Sequence, residues 1–522
     1  MGEAESLQGK VLEFLGRPQS YAPPPSAVER IDTHISAVFL AGAFAYKVKR
    51  AVTYPFLDFS TLELRRAACL NELRVNARTA PQLYLEVVPV TIGDNGELLL
   101  GGDGKAVEWV LKMRRFDQAA VYDRMAAEGR LGVASMPALA AVIAAFHNSA
   151  DRVLSADQAV PPLQSVLSDN AETLAAHAAI FEPEAVQGLA AASSKSLAAL
   201  APLLTARGLG GYVRHCHGDL HLRNIVEIDG APVLFDALEF DDRLATIDVL
   251  YDLAFLLMDL GKRELGRHAN AVLNAYLDAE GCTGNLIGLA AMPLFLSMRA
   301  AVRAKVELLR ASLAAVRDEA EAAREEARIY FALAKNFLAP PAPRLIAIGG
   351  LSGSGKSAVA RAIAPHIGAF PGAVHVRSDV ERKRLFGVGA LERLPADAYT
   401  LEATGQVYAM CRKRALMALE GGQSVIVDAV HARAEERAAL ESLAAETGVP
   451  FSGFWLEAPA KLMRDRVAAR MGDVSDATAA VVDIQLGYDI GPQSFEVIDA
   501  RGSIDEVAAS CLERIGVEPH AP

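Results

Sequence analysis

Gly350-Leu351-Ser352-Gly353-Ser354-Gly355-Lys356-Ser357 follows the apolar run Leu345-Ile346-Ala347-Ile348 and leads into Ala358-Val359-Ala360-Arg361-Ala362-Ile363. A strand, a glycine loop and a helix start, in that order, form the context in which the pattern G-x-x-x-x-G-K-[ST] builds a phosphate cradle. Gly350, Gly353 and Gly355 let the loop wrap closely, so that the backbone N–H groups of Ser352 and Ser354 and the helix N-terminus face a nucleotide β-phosphate. Lys356 then reaches the β and γ oxygens, and Ser357 is placed to hold Mg²⁺. The stretch also divides the chain, because about 340 residues precede it.

The chain has 522 residues, 52% of them hydrophobic and 22% charged, which is too long for one core and implies two or three domains. Cys69, Cys216, Cys282, Cys411 and Cys511 are scattered without C-x-x-C spacing, which excludes a disulfide framework and a structural zinc site and suits a reducing compartment. The N-terminus is acidic where a signal peptide would be basic. The apolar run Leu286 to Met298 is short for a bilayer span and contains Pro293, so it reads as a buried helix. A soluble cytoplasmic protein without a membrane segment is expected. Net charge is −12, and residues 344–522 carry 19 basic against 23 acidic side chains, a balance of −4 that counts against nucleic acid as a partner.

Before the linker Leu338-Ala339-Pro340-Pro341-Ala342-Pro343, the chain opens with a short amphipathic helix and the loop Pro23-Pro24-Pro25. Alternating segments at 35–40 and 43–49 signal a hairpin. A helix over about 62–78 carries Glu72, and further strands are expected at 86–91, 98–100 and 107–113. The expected product is a small antiparallel sheet with one inserted helix, followed by a helical region. Later comes His217-Gly218-Asp219-Leu220-His221-Leu222-Arg223-Asn224, then Val233-Leu234-Phe235-Asp236. An Asp and an Asn five apart, followed after a hairpin-length gap by an Asp ending a strand, is the spacing of a kinase catalytic loop and its metal-binding acid. Asp219 would orient or deprotonate an acceptor hydroxyl, and Asn224 and Asp236 would hold Mg²⁺.

This constellation resembles the aminoglycoside phosphotransferase family of protein-kinase-like enzymes. The resemblance implies a strand lysine paired with a helix glutamate at the nucleotide phosphates. Lys47 and Glu72 match in order and in element, with Lys49 as the alternative because alternation does not fix the register. Asp248 and Asp252 lie on a strongly apolar helix and, because buried carboxylates need partners, are expected to bond the catalytic-loop backbone rather than touch substrate. No G-x-G-x-x-G precedes Lys47, so the phosphate lid is unassigned.

In the second half, Asp379 and Arg382 are three apart near the start of a helix, where a carboxylate can take a hydroxyl proton while a guanidinium holds an anionic acceptor or the transferring group. The pairing resembles P-loop kinases of the polynucleotide-kinase and gluconate-kinase type. Val425-Ile426-Val427-Asp428 reads as a buried strand whose acid bonds Ser357 or a Mg²⁺ water, and Arg466 and Arg470 share a helix face and resemble that group's lid arginines. The whole resembles bacterial fusions of the two kinase types. It implies an α+β protein-kinase-like domain over residues 1–338, a linker at 339–343, and an α/β P-loop domain with a mostly parallel sheet over 344–522. The expected activity is ATP- and Mg²⁺-dependent phosphoryl transfer to small-molecule hydroxyls. The alternatives are 5′-hydroxyl polynucleotide kinase activity, marked by a basic groove at Arg377, Arg382, Lys383 and Arg384, and a regulatory ATP-binding protein.

Overall fold

The alternation of Phe44-Ala45-Tyr46-Lys47-Val48-Lys49 sends Tyr46 and Val48 to one side of a strand and Ala45, Lys47 and Lys49 to the other. The computed structural model, described for residues 3–54, 57–93, 96–281, 283–469 and 474–517, bears this out. Tyr46 and Val48 pack with Ala37, Phe39, Val90, Val110 and the helix residues Val11 and Leu15, while Ala45 joins Leu40, Leu83, Tyr84 and Leu111. Arg470 lies outside the described residues. By internal contacts the chain divides into two units.

The first unit comprises residues 1–131, 146–152 and 214–247. Helix α1 (Glu3–Leu15) precedes strands β1 (Val28–Asp32), β2 (Ser36–Ala41) and β3 (Phe44–Lys49). Helix α2 (Leu62–Asn76) is followed by β4 (Tyr84–Ile92), β5 (Leu98–Leu100) and β6 (Lys105–Arg114). They form a six-stranded antiparallel sheet in the order β1-β2-β3-β6-β4-β5. Residues 28–32 do not read as a strand from sequence because β1 is an edge strand, exposed from Glu29 to Asp32, with no apolar face to alternate. Later in the unit, β7 (Ile225–Ile228) and β8 (Ala231–Leu234) make a hairpin. Its two-residue turn, Asp229 and Gly230, has φ of 52° and 75°, the positive values that match a hairpin's twist.

The second unit comprises residues 132–145, 153–213 and 248–522. It contains helices α3 (Pro161–Ala175), α4 (Pro183–Leu209), α5 (Val249–Lys262), α6 (Gly266–Glu280), α7 (Met292–Leu313) and α8 (Arg317–Phe337). From 338 to 344 there is neither helix nor strand. A parallel-sheet segment follows, built from β9 (Leu345–Gly349), α9 (Lys356–Ile363), β10 (Val374–Arg377), α10 (Ser378–Leu385), α11 (Leu401–Glu420), β11 (Val425–Asp428), α12 (Ala434–Thr447), β12 (Phe451–Glu457), α13 (Ala460–Ala468), α14 (Ala479–Gln485), β13 (Glu496–Asp499) and α15 (Ile504–Arg514). The five strands run parallel in the order β10-β11-β9-β12-β13. Every residue of β9 and β11 is buried, as central parallel strands covered by helices require. An α+β kinase-like fold followed by an α/β P-loop fold is thus the observed class. By length and composition Pro183–Leu209 and Gly284–Leu313 could cross a membrane, but 78% of the latter's most apolar window is buried inside the protein.

Candidate active sites

In the first unit, period-2 geometry puts Lys47 and Lys49 on the same face of β3, and α2 supplies their partner. Thr61 caps α2 by accepting from the Leu64 N–H, and the buried residues Arg65, Cys69, Glu72, Val75 and Asn76 fall on one helical face. Glu72 takes both lysines: Lys47 Nζ donates to Oε1 at 2.7 Å and Lys49 Nζ lies 2.5 Å from Oε2. Lys47 also reaches Asp236 Oδ1 at 2.9 Å, and Lys49 pairs with Glu239. The alternation left Lys47 and Lys49 as alternatives, and the structure gives both to Glu72. Only Lys47 bridges to Asp236.

Burial alone would depress the Lys47 pKa, but the charges of Asp236, Glu72 and Glu239 hold it well above the ordinary value. Burial likewise opposes ionisation of Glu72, yet the two ammonium groups bring its carboxyl down to about 2. Glu239 moves the other way: burial raises it, with Lys49 only partly offsetting that cost.

Asp236 follows the β7–β8 hairpin in a left-handed conformation, φ 57°, that a non-glycine residue holds only when its surroundings fix it. Its N–H donates to the Tyr84 hydroxyl at 3.0 Å, and the next N–H, of Ala237, donates to Asn76 Oδ1 at 2.8 Å. Asn224 Nδ2 donates to the Asp219 carbonyl and to Asp219 Oδ2, both at 2.9 Å, and lies 3.5 Å from the Asp236 carbonyl. Oδ1 of Asn224 carries none of these bonds and keeps the oxygen a hard cation needs. His217 is fully buried, with Nε2 3.0 Å from the Phe235 carbonyl, and His221 Nε2 lies 3.4 Å from Asp219 Oδ2. The side chains of Asp219 and Asp236 are 38% and 43% exposed, so both carboxylates are open to a ligand. Lys47, Glu72, Asp219, Asn224 and Asp236 are thereby brought together. Tyr84, Asn76 and Glu239 complete the frame. Only Glu239, three residues after Asp236, had a readable sequence cue.

Asp248 departs from the expected contact with the catalytic-loop backbone. Its carboxylate accepts from the Leu250 N–H at the start of α5 and from Arg207 through Nε at 2.6 Å and Nη2 at 2.7 Å. A buried carboxylate needs a charged partner, and a bidentate guanidinium satisfies it better than a single amide.

In the second unit, the loop between β9 and α9 has positive φ at Gly350 (134°), Gly353 (84°) and Gly355 (102°). A Cβ on Gly353 would stand 2.3 Å from the Met463 carbonyl oxygen, and one on Gly350 would stand 2.6 Å from that of Leu456. Gly353→Ala is therefore expected to cost at least about 1 kcal/mol, seen as a lower urea midpoint. Ser352 N–H donates to Gln485 Oε1 at 2.7 Å, Lys356 Nζ to the Leu351 carbonyl at 3.0 Å, and Arg466 Nη1 to the Ser354 carbonyl at 3.3 Å. The parallel register sets Asp428 beside Ile348 and Arg377. Asp428 is buried, bonded to the Ser357 side chain and 3.2 Å from His375 Nε2. Burial would raise its pKa, but the bonds from His375 and Ser357 and the Lys356 charge hold it well below the usual carboxylate range.

Asp379 lies in the first turn of α10. Burial and the charges of Asp476 and Asp379 push the Tyr399 hydroxyl up to about 12. Arg382 turns inward: it is 7% exposed, donates to the Ala398 carbonyl and, at 3.3 Å, to Thr404 Oγ1, and lies over the Tyr399 ring. Lys383 Nζ donates to the carbonyls of Ala390 and Glu392, both at 2.8 Å, and Arg384 pairs with Glu381 and Asp278. Arg382, Lys383 and Arg384, cations that would mark a basic groove, are thus engaged with protein groups, as the burial of Arg382 and Lys383 requires.

Residues 57–286 match the model of the phosphotransferase enzyme family, and residues 345–488 match that of the AAA domain. An uncharacterised protein of Mycobacterium tuberculosis is 31% identical over 460 residues, which cover 86% of this chain and 88% of the relative. Among solved structures, a choline/ethanolamine kinase family protein from Mesorhizobium loti has a TM-score of 0.39 at 15% identity, over 64% of this chain and 99% of that one. A sugar kinase from Janibacter has a TM-score of 0.27 at 19% identity, over 34% and 96% respectively.

Proposed function

This chain belongs to the family of that mycobacterial relative and, by its two matched domains, to the ATP-dependent kinases; from that premise we propose that it has two active sites, each transferring the γ-phosphoryl group of ATP, with Mg²⁺, to a hydroxyl group of a small molecule. The functional domains are residues 1–338 and 344–522, joined at 339–343, in a soluble cytoplasmic protein. The observation that carries the reading is Lys47 held between Glu72 and Asp236. A lysine fixed beside a metal-binding acid is the arrangement that orients nucleotide phosphates for transfer.

In the first site, Lys47, positioned by Glu72, binds the phosphates, and Asn224 Oδ1 and Asp236 hold Mg²⁺, which supplies charge neutralisation at the transferring group. Asp219 accepts the acceptor's hydroxyl proton, the new P–O bond forms to that oxygen, the bond to the β-phosphate oxygen breaks, and ADP leaves. In the second site the backbone at Gly350, Ser352, Gly353, Ser354 and Gly355 cradles the phosphates with Lys356, while Ser357 and Asp428 serve the metal. Asp379 takes the acceptor proton there, Arg382 positions the acceptor-side segment through Ala398 and Thr404, and Arg466 covers the nucleotide. Oxygen donors and close-wrapped glycines fit ATP and Mg²⁺. The engaged state of Arg382, Lys383 and Arg384, together with the acidity of residues 344–522, favours small acceptors over polynucleotides.

The test is ATP turnover with Mg²⁺ on the full-length protein against sugars, amino alcohols, nucleosides and 5′-hydroxyl oligonucleotides, compared with Lys356→Ala. Lys356→Ala is expected to lower kcat/KM for one acceptor class by about 10²–10³ and to leave another class unchanged. An oligonucleotide product would replace the small-molecule reading. ATP binding without transfer to any acceptor would favour a regulatory role.

A further inference from the structure

Strand β10 is a buried edge strand of the parallel sheet, so the backbone groups on its open side need partners. Helix α6 covers it with side chains rather than with another strand. Asn270, Asn274 and Asp278 recur every four residues and form one stripe along α6. Asn274 Nδ2 donates to the Ala373 carbonyl at 3.1 Å, and Asn274 Oδ1 accepts from the His375 N–H at 2.7 Å. One side-chain amide thus makes the pair of bonds that one residue of a neighbouring parallel strand would make. Asn270 Nδ2 adds a second bond to the Ala373 carbonyl at 3.1 Å, and the Asp278 carbonyl accepts from Arg384 at 3.3 Å. The approach is close: a Cβ on Gly372 would stand 2.9 Å from Asn270 Nδ2, and one on Gly261 would stand 2.8 Å from the Phe370 ring.

His375 is where this edge meets the phosphate site. Its backbone faces α6, and its ring, buried, faces Asp428 at 3.2 Å. We propose that Asn274 and His375 are positioning residues for Asp428, so that Mg²⁺-nucleotide binding in the P-loop part depends on the helix α6 that precedes the linker. The inference rests on the P-loop site binding Mg²⁺-nucleotide.

The experiment titrates the full-length protein with a fluorescent, non-hydrolysable ATP analogue, with and without Mg²⁺. The P-loop component is the binding that Lys356→Ala removes. Asn274→Ala and His375→Ala should each lower the Mg²⁺-dependent affinity of that component about tenfold. Its Mg²⁺-free affinity and the Lys356-independent component should stay unchanged. His375→Gln, whose amide can still donate to Asp428, should recover part of the loss. A loss in His375→Ala without one in Asn274→Ala would overturn the dependence on α6. Unchanged affinity in both, or an equal fall with and without Mg²⁺ accompanied by a lower Tm, would overturn the positioning role. Absence of any Lys356-dependent binding in the wild type would instead remove the P-loop reading, and this inference with it.

Discussion

Asp219→Ala is expected to lower kcat for the acceptor of the first site by about 10²–10⁴, the usual contribution of a positioned general base, while leaving KM for ATP nearly unchanged. The separation follows from the geometry. Two of the groups that face the nucleotide, Lys47 and Asp236, are held by Glu72, Tyr84 and Asn76, none of which needs the Asp219 carboxylate. The third, Asn224, keeps its bonds to the carbonyls of Asp219 and Asp236. Asp219 is partly exposed, and its carboxylate accepts from Asn224, which also donates to the backbone carbonyl of residue 219. Removing the side chain therefore leaves Asn224 its two backbone carbonyl partners, and the stability cost is expected to stay near 1 kcal/mol. Steady-state kinetics with ATP and acceptor varied separately, alongside a urea melt, checks both halves. A large rise in KM for ATP would show instead that Asp219 belongs to the nucleotide side.

Glu72→Ala is expected to have the opposite balance, a stability loss of about 3 kcal/mol or more together with loss of activity at the first site. Glu72 is fully buried and is the shared counter-charge of Lys47 and Lys49. Without it, two ammonium groups face each other in the interior with only Asp236 and Glu239 as partners. Deleting one member of a buried ion network costs more than the network's net worth, because the remaining charges stay desolvated. The acid branch of the stability curve carries an independent signature. The Glu72 carboxyl is lowered from 4.5 to about 2 in the folded protein. Its stabilisation is therefore fully present above about pH 4.5 and is lost as pH falls toward 2. Glu72→Gln should remove that component, so its stability should fall less steeply than that of the wild type over the same window. Equal slopes in urea melts from pH 5 to 3 would mean that Glu72 is not the buried acid the lysines share.

Much of the fold and of both sites was legible in the sequence, because each cue is local. Spacing fixed Asp219, Asn224 and Asp236 in a loop and hairpin that the structure draws together, and the glycine pattern placed Lys356 and Ser357 at the mouth of a strand–loop–helix. The apolar run at 425–428 marked a fully buried strand ending in Asp428. Strands β1 and β13 were not legible: both are edge strands with mostly exposed residues, so no apolar alternation is imposed on them.

Which side chains would be consumed by the protein itself was equally hidden. Arg382 and Lys383 look in sequence like ligand-binding cations, but the chain folds over them and their donors go to carbonyls of residues 390–398. Lys49 looks like a second-best Lys47, yet both lie on one face of β3 within reach of one carboxylate. The sequence by itself thus determined the two phosphate-binding motifs and their acids, because loop and strand geometry follow from residue type and spacing over fewer than twenty positions. Only the tertiary structure decided which charges pair at Glu72 and which helix closes the edge at His375, because those partners are separated by about 25 to 190 residues and meet through packing.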